Sequence, residues 1–116
     1  MELIAKNWSG YYDELMEEIR EVQKEVYKIN NPYEQWEKKE ILVILEYILN
    51  EYLSFLKSIQ QDNTYGVVFT QKLEIKLQKL QIENQNLRDP YEKNNKQQQI
   101  QYLNKWYKRY KEFRLE

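Results

Sequence analysis

Apolar side chains recur every three or four residues along most of the chain. In residues 10–29 the steps between them are 3, 4, 3, 4 and 3, and the members are Tyr12, Leu15, Ile19, Val22, Val26 and Ile29. This heptad spacing forms one apolar stripe along an α-helix. We therefore predict a helix over residues 10–29, with Ser9 as its N-cap.

A second helix is predicted from Pro32 to about residue 60. Proline disfavours helical geometry in the residue before it, and Asn31 can cap a helix that begins at Pro32. Glu34 then stands at the third helical position, where its carboxylate can reach the backbone N–H of the cap. Residues 41–56 are apolar around most of the helix, which is typical of a central helix in a bundle or of a helix buried in an oligomer.

The third segment, residues 67–88, fits two kinds of element. Leu73, Ile75 and Leu77 alternate as they would in a strand, whereas Leu73, Leu77 and Leu80 share one helical face. Its length and its content of Gln, Lys, Leu and Glu favour the helix. The polar residues and glycine of 60–66 predict a loop before it.

A fourth helix is predicted over residues 90–115. Asp89 and Pro90 repeat the cap chemistry of Asn31 and Pro32. The apolar seam of this helix steps by 3, 4 and 3, and its members are Leu103, Trp106, Tyr110 and Phe113.

The phrase Asn/Asp-Pro-Tyr-Glu occurs twice, 58 residues apart in a chain of 116. Aligning residues 1–58 with 59–116 gives ten identities, mostly at cap and seam positions: Leu15/Leu73, Gln23/Gln81, Glu25/Glu83, Pro32/Pro90, Tyr33/Tyr91, Glu34/Glu92, Lys38/Lys96, Leu45/Leu103, Tyr52/Tyr110 and Phe55/Phe113. Either the chain arose by internal duplication, or its halves converged on one helix-start signal. Both explanations predict an all-α fold, a single domain of four long helices arranged as two αα-hairpins in an antiparallel helical bundle. Hairpin 1 spans about 9–60 and hairpin 2 about 67–115.

The composition argues against catalysis and metal binding. The chain has no Cys, no His and only two Gly, so the usual nucleophiles, bases, soft metal ligands and glycine-rich phosphate loops are missing. The acidic stripe Glu14, Glu18, Glu21 and Glu25 is interpreted as a solvated face, paired in part with Arg20, Lys24 and Lys28. We expect no enzymatic activity, no cofactor, no metal and no small-molecule substrate.

The N-terminal residues show no basic stretch followed by an apolar one, so no secretory signal is predicted. The longest strictly aliphatic run is residues 41–45, far short of the ~20 residues that span a membrane. We expect a soluble, cytoplasmic protein that does not contact membranes.

Charge divides unevenly between the two halves. Residues 1–66 contain 7 Lys/Arg and 13 Asp/Glu, whereas residues 67–116 contain 11 and 6. In the last helix one arc is cationic and faces away from the apolar seam; its members are Lys105, Lys108, Arg109 and Lys111, with Arg114 close to the apolar arc. A cationic face of this kind suits the phosphate backbone of RNA or DNA, contacted through residues 101–114 without sequence readout. The alternative to nucleic-acid binding is an ordinary bundle helix with a Lys-rich solvent face.

Aromatic residues make up 15% of the chain, and several fall off the predicted seams or near helix ends. These are Tyr11, Tyr27, Tyr33, Trp36, Tyr47, Tyr65, Tyr91 and Tyr107. Tyr and Trp are enriched at protein interfaces. We predict that Tyr107, Tyr33, Trp36 and Tyr91 serve in base stacking or in a protein interface.

Two functional hypotheses follow. The first is a non-catalytic small helical subunit that assembles with larger proteins in a nucleoprotein complex. A small all-helical chain with a cationic helix resembles the helical small subunits of RNA-guided CRISPR effector complexes, and that resemblance implies backbone contact with nucleic acid. The alternative is a pure protein-protein interaction module, such as an adaptor, an inhibitor or a self-associating bundle, with no nucleic-acid contact.

Overall fold

The computed structural model describes the backbone of residues 2–58 and 65–115, and the side chains of residues 10–55 and 69–112. Within these ranges the chain forms four helices and no strand: α1 (Glu2–Lys28), α2 (Pro32–Ser58), α3 (Tyr65–Asn86) and α4 (Pro90–Leu115). The all-α prediction and the pairing of the helices into two hairpins are confirmed. None of these helices, over the described residues, is long and apolar enough to cross a membrane.

Two predicted boundaries differ from the structure. Helix α1 begins at Glu2, so the prediction of Ser9 as its N-cap was wrong. The preceding residues contain no proline and are rich in helix-forming types, which lets the helix continue toward the N-terminus. Residues 67–77 are helical, and α3 begins at Tyr65, inside the predicted loop of 60–66; the rest of that loop lies mostly outside the described residues.

Helices α2 and α4 form the centre of the bundle. Each packs against the other three helices, whereas the backbones of α1 and α3 stay apart over the described residues, and the Tyr11 and Phe69 rings meet across the core with centroids 6.4 Å apart. Ring centroids lie 5.3 Å apart for Tyr33 and Tyr91 and 6.3 Å apart for Tyr52 and Tyr110, near opposite ends of the central pair. Helices α2 and α4 therefore run parallel. This central position explains why α2 is apolar around most of its circumference.

Residues 58 positions apart occupy equivalent places in the two hairpins. Lys38 pairs with Glu25 at 2.9 Å in hairpin 1, and the equivalent Lys96 and Glu83 lie 3.0 Å apart in hairpin 2. The packing of α1 on α4 is likewise matched by that of α3 on α2. The hairpins are thus related by an approximate two-fold axis parallel to the helices. Equivalent ion pairs favour internal duplication, because convergence on a helix cap does not account for them.

Aromatic side chains fill the core at the end of the bundle opposite the hairpin turns. The buried members of this aromatic cluster are Tyr11, Tyr52, Phe55, Phe69, Trp106 and Tyr110. The Tyr11 ring lies 4.6 Å from that of Tyr52 and 5.6 Å from that of Trp106, centroid to centroid. Its hydroxyl donates to the backbone carbonyl of Trp106 at 2.9 Å. This contact links the outer helix α1 to the central helix α4.

The central place of Tyr11 corrects the sequence interpretation. Tyr11 was predicted to lie off the seam and Tyr12 on it, but Tyr11 is fully buried and Tyr12 only partly. The buried stripe of α1 therefore continues from Leu15 back to Tyr11, in a step of four. Burial raises the pKa of the Tyr11 phenol well above its usual range, and the phenols of Tyr52 and Tyr110 raise it further. The hydroxyl remains a neutral donor at physiological pH.

Substitution of Tyr11 tests this anchor. Tyr11→Phe keeps the ring and removes the buried hydroxyl, so we expect the free energy of unfolding to fall by about 1 kcal/mol. Tyr11→Ala also empties the centre of the aromatic cluster and should cost about 3–5 kcal/mol. Urea unfolding followed by circular dichroism measures both losses. Tyr27→Ala, at a side chain that is 88% exposed, is the control; losses at Tyr11 no larger than at Tyr27 would contradict its role as anchor.

Candidate interaction surfaces

The predicted cationic face of α4 lies against the acidic stripe of α1. Lys105 Nζ is 2.9 Å from Glu18 Oε1. The guanidinium of Arg109 donates to both carboxylate oxygens of Glu14, at 2.9 and 3.0 Å, and also to Glu112. These hydrogen bonds raise the pKa of Arg109 further above its already high value. Two of the five predicted phosphate-binding cations thus have anionic partners within the chain.

The other predicted cations of α4 are Lys108, Lys111 and Arg114. Lys108 and Lys111 are exposed, and Lys111 Nζ sits 4.3 Å from the centroid of the Tyr107 ring. The Arg114 side chain lies outside the described residues, as does that of Phe113. Among the described residues, the part of the predicted cationic face that is not paired with carboxylates of α1 is therefore the surface around Lys108 and Lys111.

A shallow depression lies between α1 and α4 at this place. It has a volume of about 300 Å³ and is lined by Glu14, Glu17, Glu18, Glu21, Lys105, Trp106 and Arg109. Four carboxylates face only two cations in it, so its charge disfavours a phosphate group. Within the described residues no group of three or more acidic side chains is arranged to hold a metal ion.

The acidic stripe of α1 was interpreted as a solvated face with partners on its own helix. The structure places Lys24 3.6 Å from Glu21, as expected for neighbours one turn apart. The carboxylates of Glu14 and Glu18, however, pair with α4. Sequence reasoning missed this role, although the opposite charges of the two halves were the signal that could have revealed it.

Three predicted interface residues meet at the end of the bundle that carries the two hairpin turns. The Tyr33 ring lies 5.6 Å from Trp36 and 5.3 Å from Tyr91, centroid to centroid. The side chains of Tyr33, Trp36 and Tyr91 are 38%, 39% and 65% exposed. We call this group the aromatic end. The repeated phrase thus brings its two tyrosines together in space.

Local cap chemistry holds the aromatic end in place. Asn31 Oδ1 accepts the backbone N–H of Tyr33 at 2.9 Å, and Asp89 Oδ1 accepts that of Tyr91 at 3.1 Å. The side-chain amide of Gln35 donates to the carbonyl of Val26, 3.1 Å away, at the last turn of α1. Both tyrosines therefore project from capped first turns, which restricts their motion.

Carboxylates lie near the Tyr33 phenol at the aromatic end. Partial burial raises the pKa of the Tyr33 phenol above its usual range, and the carboxylates of Glu37, Asp89 and Glu92 raise it further. Glu37 lies in the second turn of α2, Glu92 lies in the first turn of α4, and Asp89 directly precedes α4. Sequence reasoning identified the aromatic residues but not the carboxylates near them, of which Asp89 and Glu92 belong to the repeated phrase and Glu37 lies three residues after its first copy.

Tyr107 does not belong to this group. Its hydroxyl donates to Glu74 of α3, and the ammonium of Lys111 lies over its ring. That Tyr107 stacks on an unpaired base or lies in a protein interface stays a prediction. In the structure Tyr107 contacts both helices of hairpin 2, α3 through Glu74 and α4 through Lys111.

No protein-family model, no curated protein and no solved structure matches this chain. None of these comparisons therefore supports the resemblance to small subunits of RNA-guided effector complexes.

Neutralising the carboxylates around Tyr33 tests the acidic field. In an E37Q/D89N/E92Q variant we expect the pKa of Tyr33 to fall toward its ordinary value, because nearby negative charge disfavours the tyrosinate. The D89N substitution keeps a side-chain oxygen for the α4 cap. A pH titration of the Tyr33 ring carbons by NMR measures the change. E17Q is the control, because Glu17 lies on α1 eleven residues before the end of that helix. If the titration of Tyr33 is unchanged in the triple variant, burial alone accounts for its raised pKa.

Proposed function

We propose that this chain is a non-catalytic helical module that assembles with a partner protein, and that the partner docks a basic segment on the aromatic end. The observation that carries the proposal is the grouping of Tyr33, Trp36 and Tyr91 on the surface, each more than a third exposed. Tyr and Trp are the residue types that most often dominate binding energy at protein interfaces.

The chemistry of the surface favours a cationic partner segment. The faces of Trp and Tyr attract Lys and Arg side chains, with about 0.5–1 kcal/mol at exposed sites and about 2 kcal/mol when water is excluded. Glu37, Asp89 and Glu92, whose charges act on Tyr33, would pair with the same cations. An Arg that stacks on one ring and bonds a neighbouring carboxylate satisfies both features.

Preorganisation supports the proposal as well. The Tyr33 ring already contacts the rings of Trp36 and Tyr91, and both tyrosines follow capped helix starts. Little side-chain freedom remains to be lost on binding, so more of the contact energy contributes to affinity. The non-catalytic part of the proposal rests on the sequence, which contains neither His nor Cys.

Contact with nucleic-acid backbone through residues 101–114 is the second candidate. It would depend on Lys108 and Lys111, because Lys105 and Arg109 face Glu18 and Glu14. Each ion pair within the chain removes a cation that could displace counterions from phosphate. The geometry thus favours protein contact over contact with RNA or DNA.

Affinity capture from the native cell, with and without nuclease, distinguishes the two candidates. We expect Y33S/W36S/Y91S to lower retention of the partner at least about tenfold, which corresponds to 1.4 kcal/mol of binding free energy. K108E/K111E and nuclease treatment should leave retention unchanged. Y27S/V43S is the matched control, since both side chains are more than half exposed and lie outside the aromatic end.

Two results would contradict the proposal. Undiminished partner retention in Y33S/W36S/Y91S would exclude the aromatic end as the docking surface. Loss of retention in K108E/K111E and after nuclease, with salt-sensitive binding of RNA or DNA by the wild-type chain, would instead support the nucleoprotein hypothesis.

A further inference from the structure

Charged pairs join the two hairpins along two lines of contact, which we call the first and second seam. At the first seam, between α1 and α4, hairpin 1 supplies Glu14 and Glu18, and hairpin 2 supplies Arg109 and Lys105. At the second, between α2 and α3, Lys72 Nζ lies 2.9 Å from Glu51 Oε2. Both seams are partly exposed to solvent.

The two seams occupy equivalent places under the approximate two-fold axis. Position 72 corresponds to 14, and position 109 corresponds to 51, each at the offset of 58 residues. The ion pair Lys72–Glu51 is therefore the counterpart of Glu14–Arg109, with its polarity reversed along the helices. Positions 76 and 47 likewise correspond to positions 18 and 105. At the second seam Lys76 Nζ lies 5.2 Å from the centroid of the Tyr47 ring. The equivalent contact at the first seam is the ion pair of Glu18 and Lys105.

Hairpin 1 thus supplies the anion or the aromatic face at both seams, and hairpin 2 supplies the cation at both. Pairs within a hairpin show no such reversal. Lys38 pairs with Glu25 and Lys96 with Glu83 at equivalent positions and with the same polarity. Among the described side chains, the reversal is therefore seen in contacts between the hairpins and not in this equivalent pair within them.

The reversal has a consequence for pairing between like hairpins. If two copies of hairpin 1 packed in this geometry, Glu14 of each would face Glu51 of the other. If two copies of hairpin 2 did so, Lys72 would face Arg109. Like charges directly opposed are unfavourable, and both like combinations carry them at both seams.

We propose that the seam charges are a pairing code: they select hairpin 2 as the docking partner of hairpin 1, within a chain or from a second copy, and reject a hairpin of the same kind. The acidic and basic halves of the sequence are, on this proposal, two sides of one recognition surface. The proposal is independent of the function assigned to the aromatic end.

Charge reversal in the full chain provides the test. Variant P carries E14K/E18K/E51K, which makes hairpin 1 basic at both seams. Variant N carries K72E/K105E/R109E, which makes hairpin 2 acidic. A third protein carries all six substitutions. All three, and the reference chain, also carry E112Q, because Glu112 bonds to Arg109 as well.

Coupling between the substitutions is the first measurement. Single exposed pairs contribute little, so the combined change of three contacts is measured. In urea we expect the unfolding equilibrium constants of P and of N to be at least about tenfold larger than that of the sixfold variant. The unfolding equilibrium constant of the sixfold variant should approach that of the reference chain. E25K/K38E, compared with its two single variants, provides the matched control within a hairpin. A sixfold variant no more stable than P and N overturns the proposal.

Pairing across copies is the second measurement, and it remains valid where P or N alone does not fold. P and N are unfolded in urea, mixed in equal amounts, refolded and examined by native mass spectrometry. We expect a dimer of one P and one N chain, in which every seam joins opposite charges, at least about tenfold more abundant than dimers of P or of N alone. A mixed dimer that is absent, or present only at its statistical share, overturns the proposal.

Discussion

The direct packing of α2 against α4 is the constraint on which the rest of the molecule depends. Because these parallel helices occupy the centre, α1 and α3 are held apart on the two flanks and each keeps a solvent face. The same packing places Tyr52 beside Tyr110 in the core and Tyr33 beside Tyr91 at the surface. Core and candidate docking surface are thus two ends of one helix–helix contact.

Opposite charges from the two halves of this chain pair with each other within the fold. A basic half and an acidic half predict a charged partner, and the structure supplies one inside the molecule, since Lys105 and Arg109 meet Glu18 and Glu14. Sequence alone cannot distinguish an internal partner from an external one, because the distinction depends on which helix faces which. Helix packing decides it: on the predicted cationic face it pairs Lys105 and Arg109 with carboxylates of α1, and it leaves Lys108 and Lys111 exposed to solvent.

The fold could be predicted because its signals are local. Seam spacing marks the helices, and Asn31 and Asp89 mark their starts through cap bonds formed within two residues. The choice between Tyr11 and Tyr12 could not be predicted, because adjacent aromatic residues fit a local pattern equally well. The rotation of α1 about its axis decides it, and the packing of its whole buried stripe, together with the long-range bond of Tyr11 to Trp106, fixes that rotation.

The candidate site shows the same division. Tyr33 and Tyr91 were singled out by the sequence because they are aromatic residues near helix ends, away from the predicted seams. Their mutual contact depends on the parallel course of α2 and α4, which no local pattern encodes. Two of their acidic neighbours, Asp89 and Glu92, were present in the repeated phrase, but a charge next to a helix cap is ordinarily explained by the helix dipole.

The aromatic end also lies close to the approximate two-fold axis, and this has a consequence for orientation. A partner meeting Tyr33 and Tyr91 alone would encounter nearly the same surface after half a turn, and could bind in two directions. The next turn of each helix removes this ambiguity, because hairpin 1 has Trp36 where hairpin 2 has the polar Asn94. A single unmatched indole gives a nearly symmetric surface a direction.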